Sequence, residues 1–274
     1  MSAKCRWPSP FVVWSRAQQG CGTIAHVASR QPGIPVRGVT VDSGHAVPGR
    51  WPWTVPAVAQ LAERGLELDP GIAVIIGPNG AGKSTLVEAI AAAWGRLMSS
   101  YRQDWLQQSV ASPSHEDSAL FRSLRLQTTT GGANGGLFLR AERLHAQAES
   151  FTKRGRWSER VGQTPLLELS HGEGFLAVLR GMSDEPGLYV LDEPESALSF
   201  DSSLALLQIM VDMRSAGSQI LLATHSPVLA AVPGARLLQV DDTGIAEVAY
   251  DDADLVTAWR GLLHAPDRYL RHLS

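Results

Sequence analysis

Lysine is almost missing from this chain: only Lys4, Lys83 and Lys153 interrupt a cationic complement that is otherwise arginine, a pattern that coding bias explains. Cysteine is nearly absent too. Cys5 and Cys21 have neither the spacing of a zinc site nor the density of a disulfide framework, which fits a reducing, cytoplasmic setting. No apolar run approaches the ~20 residues of a membrane helix, so no membrane insertion is expected. Excess positive charge is also lacking. A net charge of −3 argues against binding nucleic acid through broad electrostatics, while a local basic patch stays open. Acids are missing locally: Met1–Val41 has five cations and no Asp or Glu. That composition resembles a transit peptide, but Phe11–Trp14 is too short for a secretory core. Residues 1–35 are therefore expected to be a poorly ordered extension ahead of one domain over 36–274.

The 274 residues, 44% of them hydrophobic, suffice for one large α/β domain with a buried core. Val36–Val41 reads as a first strand, and Pro56–Gly65 as a short helix with Val58, Leu61 and Ala62 inward. Leu86, Ile90, Trp94 and Leu97 form the apolar stripe of a longer helix. Ser99–Ser118 is polar and aperiodic, hence a loop. Strands over Ser123–Thr128 and Gly136–Arg140 flank Gly131–Gly135, which reads as a turn joining them. Ala141–Arg160 is weakly helical, and a small lobe over about 141–182 is expected as an insertion. Helices at Glu173–Met182 and Ser202–Ser215 alternate with strands at Leu188–Leu191 and Gln219–Ala223, the signature of a mainly parallel sheet. A hairpin, Arg236–Val240 with Ile245–Tyr250, precedes an amphipathic helix carrying Leu255, Trp259, Leu262 and Leu263 on one face. No internal repeat is present.

The sharpest signal is Gly77-Pro78-Asn79-Gly80-Ala81-Gly82-Lys83-Ser84. The apolar run Ile72–Ile76 precedes it and the helical pattern from Thr85 follows, so G-x-x-x-x-G-K-[ST] stands in the strand–loop–helix setting it requires. Glycines let successive amides point inward at phosphate. Lys83 brings a point charge to the β- and γ-phosphates, and Ser84 offers a hydroxyl to Mg2+. The helix N-terminus behind the loop adds its dipole.

Three further pieces belong to the same chemistry. Leu188–Leu191 ends in Asp192 and Glu193, at the strand terminus where open α/β sheets bind ligands. Asp192 there can hold the metal that Ser84 serves, and Glu193 can orient or deprotonate a water. Ser170-His171-Gly172-Glu173 lies just upstream, with Ser170 22 residues before Asp192. It is a capping box, and a helix N-terminus carrying a serine is also a phosphate receptor. His225 closes the apolar strand Gln219–Ala223 within Ala223-Thr224-His225-Ser226-Pro227, 33 residues after Asp192, where an imidazole can reach a γ-phosphate.

In this order the phosphate loop, Ser170–Glu173, Leu191–Leu198 and Ala223–Pro227 resemble the ABC-type ATPases. Phe138–Glu142 and Arg268–Leu273 are similar to tags of the bacterial proteins called AAA family ATPases. The resemblance implies a P-loop fold with a mainly parallel sheet, an antiparallel subdomain and the small helical lobe. It implies ATP and Mg2+ as ligands and ATP hydrolysis as activity. It also implies a head-to-tail homodimer in which Ser170, Gly172 and Glu173 act on the partner's nucleotide. His171 replaces the usual first glycine of that signature, as in DNA-repair and SMC-like branches, and Ser199 stands where Asp is usual. Glu142 is the candidate for the Mg2+- and water-sensing position, with Gln127 the alternative. The adenine is expected to stack on Trp53 or Trp51, unless these form a packing corner. An unidentified protein or nucleic-acid partner fits a free-standing switch. The alternatives are a transporter's ATPase subunit, a small-molecule phosphotransferase and a module that binds ATP without turnover. Ser170 and His225 have no use in a simple phosphotransferase, and Glu193 disfavours a module without turnover.

Overall fold

The computed structural model describes residues 35–42, 44, 47, 49–99, 118–129, 135–143 and 168–271. All belong to the second of the chain's two units, Gln31–Ser274. Residues 1–34 of the expected extension, 100–117 of the expected loop and most of the expected lobe lie outside the described residues.

Nine strands and eight helices are described: β1 (Gly38–Val41), α1 (Pro56–Arg64), β2 (Leu66–Glu67), β3 (Ile72–Ile76), α2 (Lys83–Ser99), α3 (Ser118–Ser123), β4 (Leu124–Gln127), β5 (Gly135–Arg140), α4 (His171–Gly181), β6 (Gly187–Asp192), α5 (Phe200–Ser215), β7 (Gln219–Ala223), α6 (Pro227–Ala230), β8 (Arg236–Asp241), β9 (Gly244–Glu247), α7 (Asp254–His264) and α8 (Pro266–Leu270). Six strands form one sheet in the order β5-β6-β7-β3-β8-β9, and β2-β1-β4 form a second. In the larger sheet β5, β6, β7, β3 and β8 run parallel, and only β9 is antiparallel. The smaller sheet is antiparallel throughout.

Parallel strands covered on both faces must be apolar at nearly every position, and β3, β6 and β7 are buried along their whole length. The two faces are read by alternation. Ile72, Val74 and Ile76 pack with Phe175 and Leu179 of α4 and Leu206 and Met210 of α5. Ala73 and Ile75 point the other way, to Leu86, Ile90 and Trp94 of α2 and Val58 and Leu61 of α1. The C-terminal ends of β3 and β6 are thus held between two cores.

Several expectations need correction. Helix α2 is buried nearly all round, Val87, Ala89 and Ala91–Ala93 included, because it is covered by the parallel sheet on one side and by β4 and α3 on another. Ala57 rather than Ala62 completes the inward face of α1. Strands β4 and β5 are not hairpin partners: β4 pairs antiparallel with β1, β5 parallel with β6. The apolar face of α7 is only partly covered. Val256 is its buried contact, while Trp259 is 45% and Leu263 74% exposed.

Candidate nucleotide site

The loop between β3 and α2 is fixed by sterics that exclude side chains. Gly77 has φ +150°, and a Cβ there would lie 2.0 Å from the Val240 carbonyl oxygen of β8. At Gly82, with φ +97°, a Cβ would meet Val55 at 2.5 Å. The chain can therefore turn tightly against β8 and enter α2 at Lys83, with the amides of a 17-residue helix facing the loop. Pro78, Asn79 and Gly80 are exposed, Ala81, Ser84 and Thr85 half-buried. Lys83 is only 3% exposed, and its Nζ donates to the Pro78 carbonyl oxygen at 2.9 Å. Burial lowers the Lys83 pKa, and Glu193, Asp192 and Glu195 oppose that shift in descending order. These acids come from the end of β6 and the turn after it, so the two halves of the motif set meet in space.

They also meet by direct contact. The Ser84 hydroxyl donates to Asp192 Oδ1 at 3.0 Å. Asp192, 1% exposed, ends β6 beside Arg140, with which it is in register. Arg140 Nε donates to the other oxygen, Oδ2, at 2.7 Å, and the same guanidinium reaches Glu88 Oε2 of α2 at 3.2 Å. Burial pulls the Arg140 pKa down, but Asp192 and Glu88 outweigh it and the net shift is upward.

One residue further, Glu193 adopts a left-handed conformation with φ 48°, the only non-glycine with positive φ among the described residues. Such strain is tolerated where the surroundings dictate it, commonly at reactive sites. Its amide donates to the Ala223 carbonyl at 2.9 Å, and its Oε1 lies 3.0 Å from His225 Nε2. Glu195 Oε1 accepts from the His225 amide, so two acids of one turn grip both the ring and the backbone of the same histidine. The other Glu195 oxygen is buried with no partner among the described residues.

Helix α4 starts with both halves of the capping box. The Glu173 amide donates to Ser170 Oγ at 3.4 Å, and the Ser170 amide donates to Glu173 Oε2 at 3.0 Å. The Ser170 hydroxyl adds a 2.6 Å bond to the same carboxylate, which lowers the Glu173 pKa. Gly172 is buried, and the Ala197 carbonyl in the turn after Glu193 packs so close that a Cβ there would come within 2.7 Å of it. Ser170 and Glu173 themselves face solvent. Ser199 caps the next helix, where its hydroxyl accepts from the Ser202 amide and starts α5.

Three expected positions fall elsewhere. Trp53 is 8% exposed and packed into the core around α1 and α2, so its ring cannot offer a face to adenine; Trp51, 43% exposed, can. Glu142 does not end a strand. It lies exposed in the short 3-10 turn Ala141–Arg143 that packs on the turn Pro194–Ala197, while Arg140 is the side chain that touches Asp192. Gln127 sits in β4 of the antiparallel sheet with its amide against Gly38. Sequence reasoning passed over Arg140, Glu88 and Glu195. The available signal was a charged residue closing a buried strand, and a second acid two positions beyond Glu193.

Ser84 and Asp192 present two hard oxygen donors to one point, which suits Mg2+ shared with nucleotide phosphates. No cluster of three His, Cys, Asp or Glu that could cage an ion occurs among the described residues, and a phosphate-bound Mg2+ needs none.

A glycine-turned loop on a helix N-terminus, a buried lysine and a strand-end acid bonded to the loop serine define a P-loop nucleotide-binding protein. The family model described as ABC transporter matches residues 65–196. The thiamine import ATP-binding protein ThiQ of Shigella flexneri is 32% identical over 219 residues, covering 74% of this chain and 85% of ThiQ. The zinc import ATP-binding protein ZnuC of Yersinia enterocolitica is 30% identical, covering 60% of this chain and 64% of ZnuC. The macrolide export ATP-binding/permease protein MacB of Bradyrhizobium diazoefficiens is 27% identical, covering 73% of this chain but 33% of MacB. The chain thus spans about a third of that relative's length. The chain belongs to the ABC-type ATPases, which bind and hydrolyse ATP. Among the described residues no helix is long and apolar enough to cross a membrane.

Proposed function

We propose that this chain is a Mg2+-dependent, cytoplasmic ATPase that closes as a head-to-tail homodimer on ATP and parts after hydrolysis. The observation that carries the reading is the 3.0 Å bond between Ser84 Oγ and Asp192 Oδ1 beside the buried Lys83. It joins the phosphate-binding half of the sequence to the acidic half. Amides of Gly80–Ser84 and the Lys83 ammonium bind the β- and γ-phosphates. Ser84 and Asp192 hold the metal, which when bound neutralises charge on the phosphate oxygens. Glu193 Oε1 orients the attacking water and takes its proton, and His225, already 3.0 Å away, steadies that carboxylate and reads the γ-phosphate.

The solvent-facing Ser170 and Glu173 at the start of α4 would serve the partner's nucleotide, since one chain carries one copy of each motif. Residues 36–274 would act as one ATPase domain. Glu193→Gln protein with Mg2+ and ATP should run as a dimer in light scattering and as a monomer without nucleotide. A strict monomer in both conditions would defeat the dimer reading.

A second reading, an ATPase subunit docked on a membrane permease, is favoured by the similarity to ThiQ and ZnuC. A nucleic-acid-associated switch is a third, resting on His171 in the signature. Proteins captured with the trapped Glu193→Gln form would tell them apart.

A further inference from the structure

The two oxygens of the Asp192 carboxylate face different partners. Oδ1 accepts from Ser84, while Oδ2 is held by Arg140 through Nε at 2.7 Å and through a terminal nitrogen at 2.5 Å. The guanidinium is anchored further, its Glu88 contact coming from the same terminal nitrogen that touches Asp192. It reaches Glu88 Oε2 at 3.2 Å, and the Phe138 ring centre lies 5.9 Å from its central carbon. Glu88 sits four residues after Ser84 on α2, so both face the end of β6. The backbone register of β5 on β6, pairing Arg140 with Asp192, fixes this arrangement before any side chain chooses a rotamer.

We propose that Arg140 is a positioning residue that holds the metal-binding carboxylate in place and keeps the site closed to divalent cations until nucleotide arrives. The two acids flanking Ser84, Asp192 and Glu88, are matched by two buried or half-buried cations, Lys83 and Arg140. Glu193 and Glu195 add negative charge around Lys83, but Arg140 offsets the two acids nearest Ser84 and already takes one Asp192 oxygen, so a dication arriving without phosphates finds fewer free donors and less attracting charge. ATP phosphates supply the missing charge, and Oδ1 is then presented in the direction Ser84 sets. A lysine would keep the charge but not the grip, because the guanidinium holds Oδ2 through both Nε and a terminal nitrogen, and an ammonium has only one nitrogen to offer.

The inference rests on Ser84 and Asp192 being the metal-binding pair, and the experiment separates the two claims. Mn2+ binding is read by electron paramagnetic resonance on the whole chain. Wild type with ATP should bind Mn2+ and lose it in Asp192→Asn; no loss there would defeat the metal assignment itself. Without nucleotide, wild type should bind Mn2+ weakly, and Arg140→Gln should bind at least about tenfold more tightly, roughly 1.4 kcal/mol. Adding Asp192→Asn to Arg140→Gln should remove the gain. Arg140→Gln/Glu88→Gln is measured as well; it removes one charge of each sign and frees the Asp192 oxygen, so it should show the part of the gain that comes from releasing Asp192. If Asp192 proves necessary for Mn2+ with ATP, yet neither Arg140 variant binds Mn2+ more tightly than wild type without ATP, the gating role is wrong.

Discussion

Replacing Glu193 by Gln separates binding from chemistry more cleanly than any other single change at this site. The amide is nearly isosteric and its oxygen can still accept from His225 Nε2, so the 3.0 Å contact and the strained turn persist. What disappears is the ability to take a proton from water. Loss of a positioned general base typically slows turnover by about 10²–10⁴-fold, roughly 3–5 kcal/mol on the barrier. Binding moves the other way. Glu193 is the largest of the three acids whose field favours a charged Lys83, yet it also repels the γ-phosphate. Its side chain is 39% exposed, so solvent screening limits either effect to about 1 kcal/mol, roughly fivefold in affinity. ATP affinity should therefore be unchanged or modestly tighter. Phosphate release measures the first quantity and titration with a fluorescent ATP analogue the second. Turnover within about fivefold of wild type would show that another group takes the proton.

Two other perturbations address the surroundings. Trp53→Ala removes a core ring and should cost about 3–5 kcal/mol, seen as a melting temperature lower by roughly 10 °C, whereas Trp51→Ala should leave stability within about 0.5 kcal/mol and weaken ATP binding several-fold; the opposite assignment of effects would refute the reading of the two rings. Ser170→Ala should lower the melting temperature at neutral pH by breaking the cap of α4. Hydrogen bonds from Ser170 hold the folded Glu173 pKa below its ordinary value, so their stabilisation is full above the usual glutamate range and is lost as pH falls through that lowered value. The gap between wild type and Ser170→Ala should accordingly narrow on acidification, and a gap independent of pH would contradict the ionised capping box.

The parts of the molecule most legible in the sequence are those governed by local pattern. Apolar runs at Ile72–Ile76 and again within Gln219–Ala223 announce strands covered on both faces, and β7 has the expected limits. The phosphate loop, the β6 acids and His225 were equally readable, since each follows or closes such a strand. Partnerships between strands are not written locally. β4 and β5 lie close in sequence with glycines between, yet one joins β1 and the other β6. Arg140 was opaque for the same reason, because its meaning depends on a register with Asp192, 52 residues away. Trp53 shows the limit of residue type: an aromatic ahead of a phosphate loop suits adenine, but burial against α1 and α2 decides its role.

Complementation is the sharpest trial of a shared site. Glu193→Gln and Ser170→Ala proteins, each prepared alone, should hydrolyse ATP poorly. Mixed with Mg2+ and ATP, they should regain turnover, because a mixed pair contains one interface with an intact Glu193 from one copy and an intact Ser170 from the other. A mixture no more active than the average of its components would contradict a site completed by a second copy of the chain.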